Sequence, residues 1–164
     1  AQINKPFRKD VYNSSGTTLT QRTYYRWDSL ATAGSYFVGL GKEMTFDYGT
    51  GGAHKDKATE YFFATSTTRD TIKVAEYGEV TGSSNGTFSD TGSDKRTTTL
   101  TYVASSTANM SLLKGKTLFN NSAATISDER HYYDALALGS VTKGNRTKIE
   151  RSVSHVNFVT PYHE

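Results

Sequence analysis

The sequence predicts an α+β protein: an N-terminal β-hairpin, an antiparallel sheet of about five strands, and two C-terminal helices. Two observations carry this prediction. Up to Phe119 the chain is rich in Thr, Tyr, Phe and Val, arranged in short runs of alternating polar and apolar residues, as half-buried strands are. After Phe119 the pattern changes to hydroxyl-then-acid signals, Ser127-Asp128-Glu129 and Thr147-Lys148-Ile149-Glu150, followed by apolar residues at helical spacing. The 164 residues read as one domain, 1–164, made of a hairpin (1–28), a sheet (34–119) and a helical pair (127–159).

Taken in order, Phe7 to Tyr12 and Thr18 to Trp27 form the arms of the first hairpin, joined by the polar turn Asn13-Ser14-Ser15-Gly16. Ser35 to Leu40 and Met44 to Tyr48 read as two short strands, and Gly49 to Gly52 as a flexible loop. Ala58 to Thr65 pairs with Thr71 to Val80. In that second strand Ile72 and Val74 point toward the core, while Thr71, Lys73 and Tyr77 point away, because strand side chains alternate. Thr81 to Asp94, rich in Gly, Ser, Asp and Asn, is a long loop or protruding hairpin with Phe88 as its apolar anchor. Arg96 to Ala104 and Met110 to Phe119 are further strands, the second weakened by Gly115.

The first helix starts at Ser127, runs through Tyr132, Ala135, Leu136 and Leu138, and closes at Gly139. The second starts at the capping box Thr147 to Glu150, with Ile149, Val153 and Val156 on one face, and ends at Pro161. Strict strand alternation fails there, since Arg151 and His155 share parity with Ile149 and Val153. Two short helices hardly cover such a sheet, so the missing cover comes from a second copy of the chain.

Composition narrows the function. The chain has no cysteine, which excludes disulfides and Cys-based zinc or redox sites. It has no apolar run long enough to span a bilayer as a helix, and Ala1 to Lys5 lacks the apolar core of a signal peptide. A net charge of +3 and a pI of about 9.0 permit a polyanionic partner without demanding one. The histidines, His54, His131, His155 and His163, lack metal-ligand spacing. No Gly-x-Ser-x-Gly elbow or P-loop is present, and Glu43, Asp47, Glu60, Glu76 and Glu79 fit paired catalytic carboxylates and cross-strand charge pairs equally well. The chain therefore reads as non-enzymatic, with no cofactor, no metal and no small-molecule substrate. Sequons begin at Asn13, Asn85, Asn109, Asn120 and Asn145, with little weight in a chain so rich in Ser and Thr.

What remains is binding by a sheet face. Thr65, Thr71, Lys73, Thr99, Thr101, Lys114 and Lys116 offer donors to phosphate, and Tyr77 or Tyr102 offers a ring for stacking an unpaired base. The order of elements, together with Thr71-Ile72-Lys73-Val74, Ala124-Thr125-Ile126-Ser127-Asp128-Glu129-Arg130 and Thr160-Pro161-Tyr162, resembles the coat proteins of single-stranded RNA bacteriophages, the leviviruses. The chain departs from that pattern around Gly49 to Asp56, Thr81 to Asp94 and Gly115. The resemblance implies a dimer interlocked through its helices and assembled into an icosahedral capsid in the bacterial host cytoplasm. In the virion the sheet would face packaged RNA, with Thr71 and Lys73 on an RNA hairpin whose binding represses translation. Two other readings stand beside it: a secreted or surface β-sandwich or barrel binding module, pilin-, adhesin- or ligand-binding-like, and another phage structural subunit such as a tail tube.

Overall fold

The computed structural model describes residues 5–32, 35–49, 55–65, 69–83, 86–103, 111–153 and 161–162. These residues form strands and no helix: β1 (Arg8–Tyr12), β2 (Leu19–Thr32), β3 (Ser35–Asp47), β4 (Lys55–Phe63), β5 (Thr71–Gly82), β6 (Phe88–Asp90), β7 (Arg96–Tyr102), β8 (Leu113–Phe119), β9 (Thr125–Tyr133), β10 (Arg146–Val153) and β11 (Pro161–Tyr162). The protein is all-β, and the α+β expectation is corrected. The chain divides into two compact units, residues 1–62 with 75–95 and residues 63–74 with 96–164.

The first unit is a meander in which strands adjacent in sequence pair antiparallel. The β1–β2 turn is held by the Asn13 side chain, whose Oδ1 accepts the N–H groups of Thr17 and Thr18 across the polar turn that the sequence announces. The two strands expected over 35–48 are one strand, β3. Its register against β2 shifts between Arg26 and Trp27, leaving Gly41 as the extra residue of a bulge. Gly41 is required there because the Asp28 carboxylate occupies the space that a Cβ would fill. Pairing sets Tyr24, Met44 and Ala58 in one row and Arg22, Phe46 and Asp56 in the next. Met44, Phe46 and Ala58 join Ala75, Tyr77 and Val80 in the core, and Met44 is wholly buried. Phe46 meets Tyr24 and Tyr48 edge-on at 5.5 and 6.5 Å, a favoured aromatic geometry.

β5 reverses the facing expected of it. Ala75 and Tyr77 are buried, whereas Ile72 is 41% exposed. The Thr71, Lys73, Tyr77 side is thus the side that turns inward at its buried end, and Ile72 meets solvent. After β5 the loop doubles back as β6, which pairs with Val80 to Gly82. Phe88 is its anchor, meeting the Tyr77 ring at 4.9 Å and lying under the Lys42 ammonium at 4.3 Å.

In the second unit β7, β8, β9, β10 and β11 follow one another in antiparallel order. The helices expected over 127–159 are replaced by β9 and β10 as far as Val153; residues 154–160 lie outside the described set. The helix-start reading of Ser127-Asp128-Glu129 fails because its two acids bond across strands. Asp128 accepts the Thr117 hydroxyl at 2.7 Å, and Glu129 accepts from Arg151 Nε at 2.8 Å. The capping box fails likewise, since Glu150 accepts the Tyr132 hydroxyl and the Lys148 ammonium. Arg151 does share a face with Ile149 and Val153, and its pairing with Glu129 makes a charge tolerable there.

The β9–β10 connection folds around one carboxylate. Asp134 accepts N–H groups of Thr142, Lys143, Gly144 and Asn145 at 2.7–3.0 Å. These bonds, that of Thr142 foremost, hold its carboxyl far below the usual carboxylate range.

Candidate binding face

The register of β7 to β10 builds two rows of four residues on one face. Thr101, Gly115, Arg130 and Glu150 make the first row, and Thr99, Thr117, Asp128 and Ser152 the second. Tyr132 and Lys148 face each other one step on. Residues directly opposite share a face, so these two rows are hydroxyl and charge around Gly115, and Phe119 opposite Thr97 bounds them on the same face. Gly115 has a packing reason: a Cβ there would stand 3.0 Å from Thr101 Oγ1.

Charges on this face are matched. Arg130 Nε is 3.6 Å from Asp128, and Lys148 Nζ is 2.6 Å from Glu150. The bond from Lys148, then that from Tyr132, holds the Glu150 carboxyl below its ordinary value. The same contacts push Lys148 and Tyr132 up. Lys148 also lies over the Tyr132 ring at 4.8 Å, so that side of the ring is already covered. Two cations beside two carboxylates leave no surplus positive charge, which phosphate binding requires.

The opposite face reads Leu100, Lys116, Glu129, Arg151 in one row and Thr98, Leu118, Ser127, Val153 in the next. His131 is buried on this side, with Nε2 2.7 Å from Glu129 Oε1 but off the line that a hydrogen bond needs. The other histidines lie outside the described residues.

Of the residues expected to meet RNA, Thr99 and Thr101 share the polar face, and Lys116 stands on the opposite face beside Leu100. Thr65 is exposed after β4, and its carbonyl accepts from Arg69. Thr71 and Lys73 are half-buried on β5, and the Thr71 carbonyl accepts the Tyr102 hydroxyl at 2.9 Å. Tyr77 offers no ring for stacking: it is 9% exposed, lies against Phe88, and donates its hydroxyl to Glu60 at 2.9 Å. Burial first, then that carboxylate, pushes its hydroxyl up to about 12. Asp128, Arg130, Tyr132, Lys148, Glu150 and Ser152 were hidden by the helix reading. On β10 the alternation of Lys148, Glu150 and Ser152 with Ile149 and Val153 was the available signal; on β9 both faces are polar, so alternation could not single out Asp128, Arg130 and Tyr132.

The first unit holds a half-open cleft of about 480 Å³ lined by Lys55, Lys57, Glu79, Thr81, Thr91 and Asp94 among others. Its cations and acids are mixed, and Asp56 at its wall already accepts the Gly82 N–H at 3.0 Å. Among the described residues no group of three or more His, Asp or Glu is placed to hold a metal, and no helix is long and apolar enough to cross a membrane. No protein-family model matches this sequence, and no curated protein matches it.

Proposed function

We propose that the chain is a non-catalytic β-sheet binding module, of the surface recognition kind, that presents the β7–β10 polar face to an uncharged, polyhydroxylated partner such as a glycan. The observation that carries this reading is the charge-matched polar face, with Arg130 beside Asp128 and Lys148 beside Glu150 among cross-strand hydroxyls. The directions in which the ionisable groups are pushed agree with it. Asp10, Glu60, Glu129, Asp134 and Glu150 are held low. Tyr61, Tyr77, Tyr102, Tyr132 and Tyr133 are pushed up. Acid–base catalysis needs groups moved toward neutrality; these move away from it, as groups locked into structural pairs do. Charge matching on the polar face favours hydrogen-bonded recognition over phosphate binding.

A second reading keeps an RNA-binding coat or related particle subunit, without the dimer interlocked through helices, since β9 and β10 stand where those helices were expected. Thr71 and Lys73 on one side of β5, and Lys116 exposed on β8, favour it. One titration separates the two. Purified chain is exposed to neutral polysaccharides and to single-stranded RNA across a salt series, with Thr99→Ala, Arg130→Ala and Lys73→Ala variants. The first reading expects polysaccharide binding that is insensitive to salt and weakened by Thr99→Ala and Arg130→Ala. The second expects RNA binding that weakens with salt, and a salt slope reduced by about one in Lys73→Ala. Folded protein that binds neither probe overturns both.

A further inference from the structure

The free edge of the first unit lies along β1, whose described partner is β2. Tyr25 N–H donates to the Phe7 carbonyl at 2.9 Å. By antiparallel alternation Phe7, Lys9 and Val11 direct their main-chain groups to β2, and those of Arg8 and Asp10 point outward. Exposed apolar side chains gather on this same segment: Phe7 is 69% exposed, Tyr12 50% and Val11 37%. An unpaired edge with apolar side chains is a template for another strand.

We propose that β1 pairs antiparallel with β1 of a second copy, about a two-fold axis through Lys9. Symmetry limits the possible registers. A two-fold perpendicular to the sheet keeps each face on its own side, so paired residue numbers sum to an even total. Centring on Asp10 sets two carboxylates face to face, and centring on Arg8 does the same with two guanidiniums. Centring on Lys9 exchanges the outward N–H and C=O groups of Arg8 and the partner's Asp10, and of Asp10 and the partner's Arg8. Each Asp10 carboxylate stays with Arg22 of its own chain, whose Nε and Nη2 donate to it at 2.8 Å. In that register Phe7 also falls opposite the partner's Val11, twice over, bringing together the exposed apolar groups of both copies. Lys9 meets its symmetry mate at the axis, a like-charge cost that long ammonium side chains reduce by splaying into water. The contact is small, so it is a weak, concentration-dependent association. It needs none of the ligand chemistry of the polar face.

The chain has no cysteine, so a single introduced thiol reports the register. At the axis Lys9 and its mate form a non-hydrogen-bonded pair, with Cβ atoms roughly 4.5–5.5 Å apart and within reach of a disulfide after slight adjustment. Val11 lies two residues from the axis, so the two copies of Val11 stand roughly 13 Å apart. Under mild oxidation Lys9→Cys forms a cross-linked dimer at least about ten times faster than Val11→Cys, and mixed Phe7→Cys with Val11→Cys also cross-links. Sedimentation equilibrium shows reversible dimer for the parent. Arg8→Pro, which removes an outward N–H but none directed at β2, loses the dimer while Trp27 fluorescence still reports a folded unit. A parent that stays monomeric at the highest concentration reached, or Val11→Cys linking as fast as Lys9→Cys, overturns the proposal.

Discussion

Glu60→Gln tests whether the buried polar cluster of the first unit is held by charge. Glu60 accepts from Lys42 Nζ at 2.8 Å and from the Tyr77 hydroxyl at 2.9 Å. The Lys42 side chain is 11% exposed and that of Glu60 22%. Removing one partner of a fully buried pair costs about 3–5 kcal/mol, and an exposed pair contributes about 0–1 kcal/mol, so this intermediate pair gives a cost of about 2 kcal/mol. For a chain of this size that lowers Tm by about 4–8 °C. The only tryptophan, Trp27 on β2, lies in the same unit, so its fluorescence during a urea or thermal melt reads the change. Lys42→Met in the Glu60→Gln background recovers part of the loss, because no stranded ammonium remains, and the coupling is about 1 kcal/mol or more. Burial pushes the Glu60 carboxyl up, but the bonds from Lys42 and Tyr77 outweigh it and hold it below the ordinary 4.5. Its contribution is therefore full above 4.5 and lost as pH falls through the lowered value, so parent and variant converge in acid. A Glu60→Gln protein within about 0.5 kcal/mol of the parent at neutral pH, with additive effects in the double variant, refutes the reasoning.

Two other outcomes are expected. Gly82→Ala drives a methyl into Met44 Sδ, with Phe46 Cε1 at 3.2 Å closing the other side; it costs about 1–3 kcal/mol by urea melt, and Met44→Ala in the same chain relieves the clash. Asp134→Asn loosens the β9–β10 connection, so amide hydrogen exchange of residues 142–145 accelerates while the β7 and β8 amides stay protected. Because the parent Asp134 carboxyl is held low, its contribution is full above the ordinary 3.8 and is lost only as pH falls well below that value.

The first hairpin was legible because local chemistry specifies it: Asn13 makes the turn, and the alternation on each arm sets the strands. Phe88 was legible as an anchor because it is the one large apolar residue in a polar loop. Where the reading failed, local signals had two meanings. Ser35 to Leu40 and Met44 to Tyr48 were read as separate strands, yet Gly41 between them lies inside β3, where its bulge admits the Asp28 carboxylate. Ser127-Asp128-Glu129 suits a helix N-terminus, but its two acids bond to Thr117 and Arg151 on neighbouring strands, which local spacing does not reveal. On β5 the apolar residues Ile72 and Val74 were assigned to the core, whereas burial fell to small Ala75 and aromatic Tyr77. The site suffered most, since half of the polar face lies on strands read as helices. Thr99 and Thr101 were found because they alternate with Leu100 and Tyr102 on β7; their partners on β9 and β10 depend on register, a long-range property.

The most direct measurement is the set of cross-strand nuclear Overhauser contacts over residues 111–153. Main-chain contacts between Asp128 and Ser152, and between Arg130 and Glu150, with Gly115 opposite Arg130, are the expected result. Unbroken runs of sequential amide–amide contacts through 127–138 and 147–153 would mean helices after all, and would dissolve the polar face together with the function proposed for it.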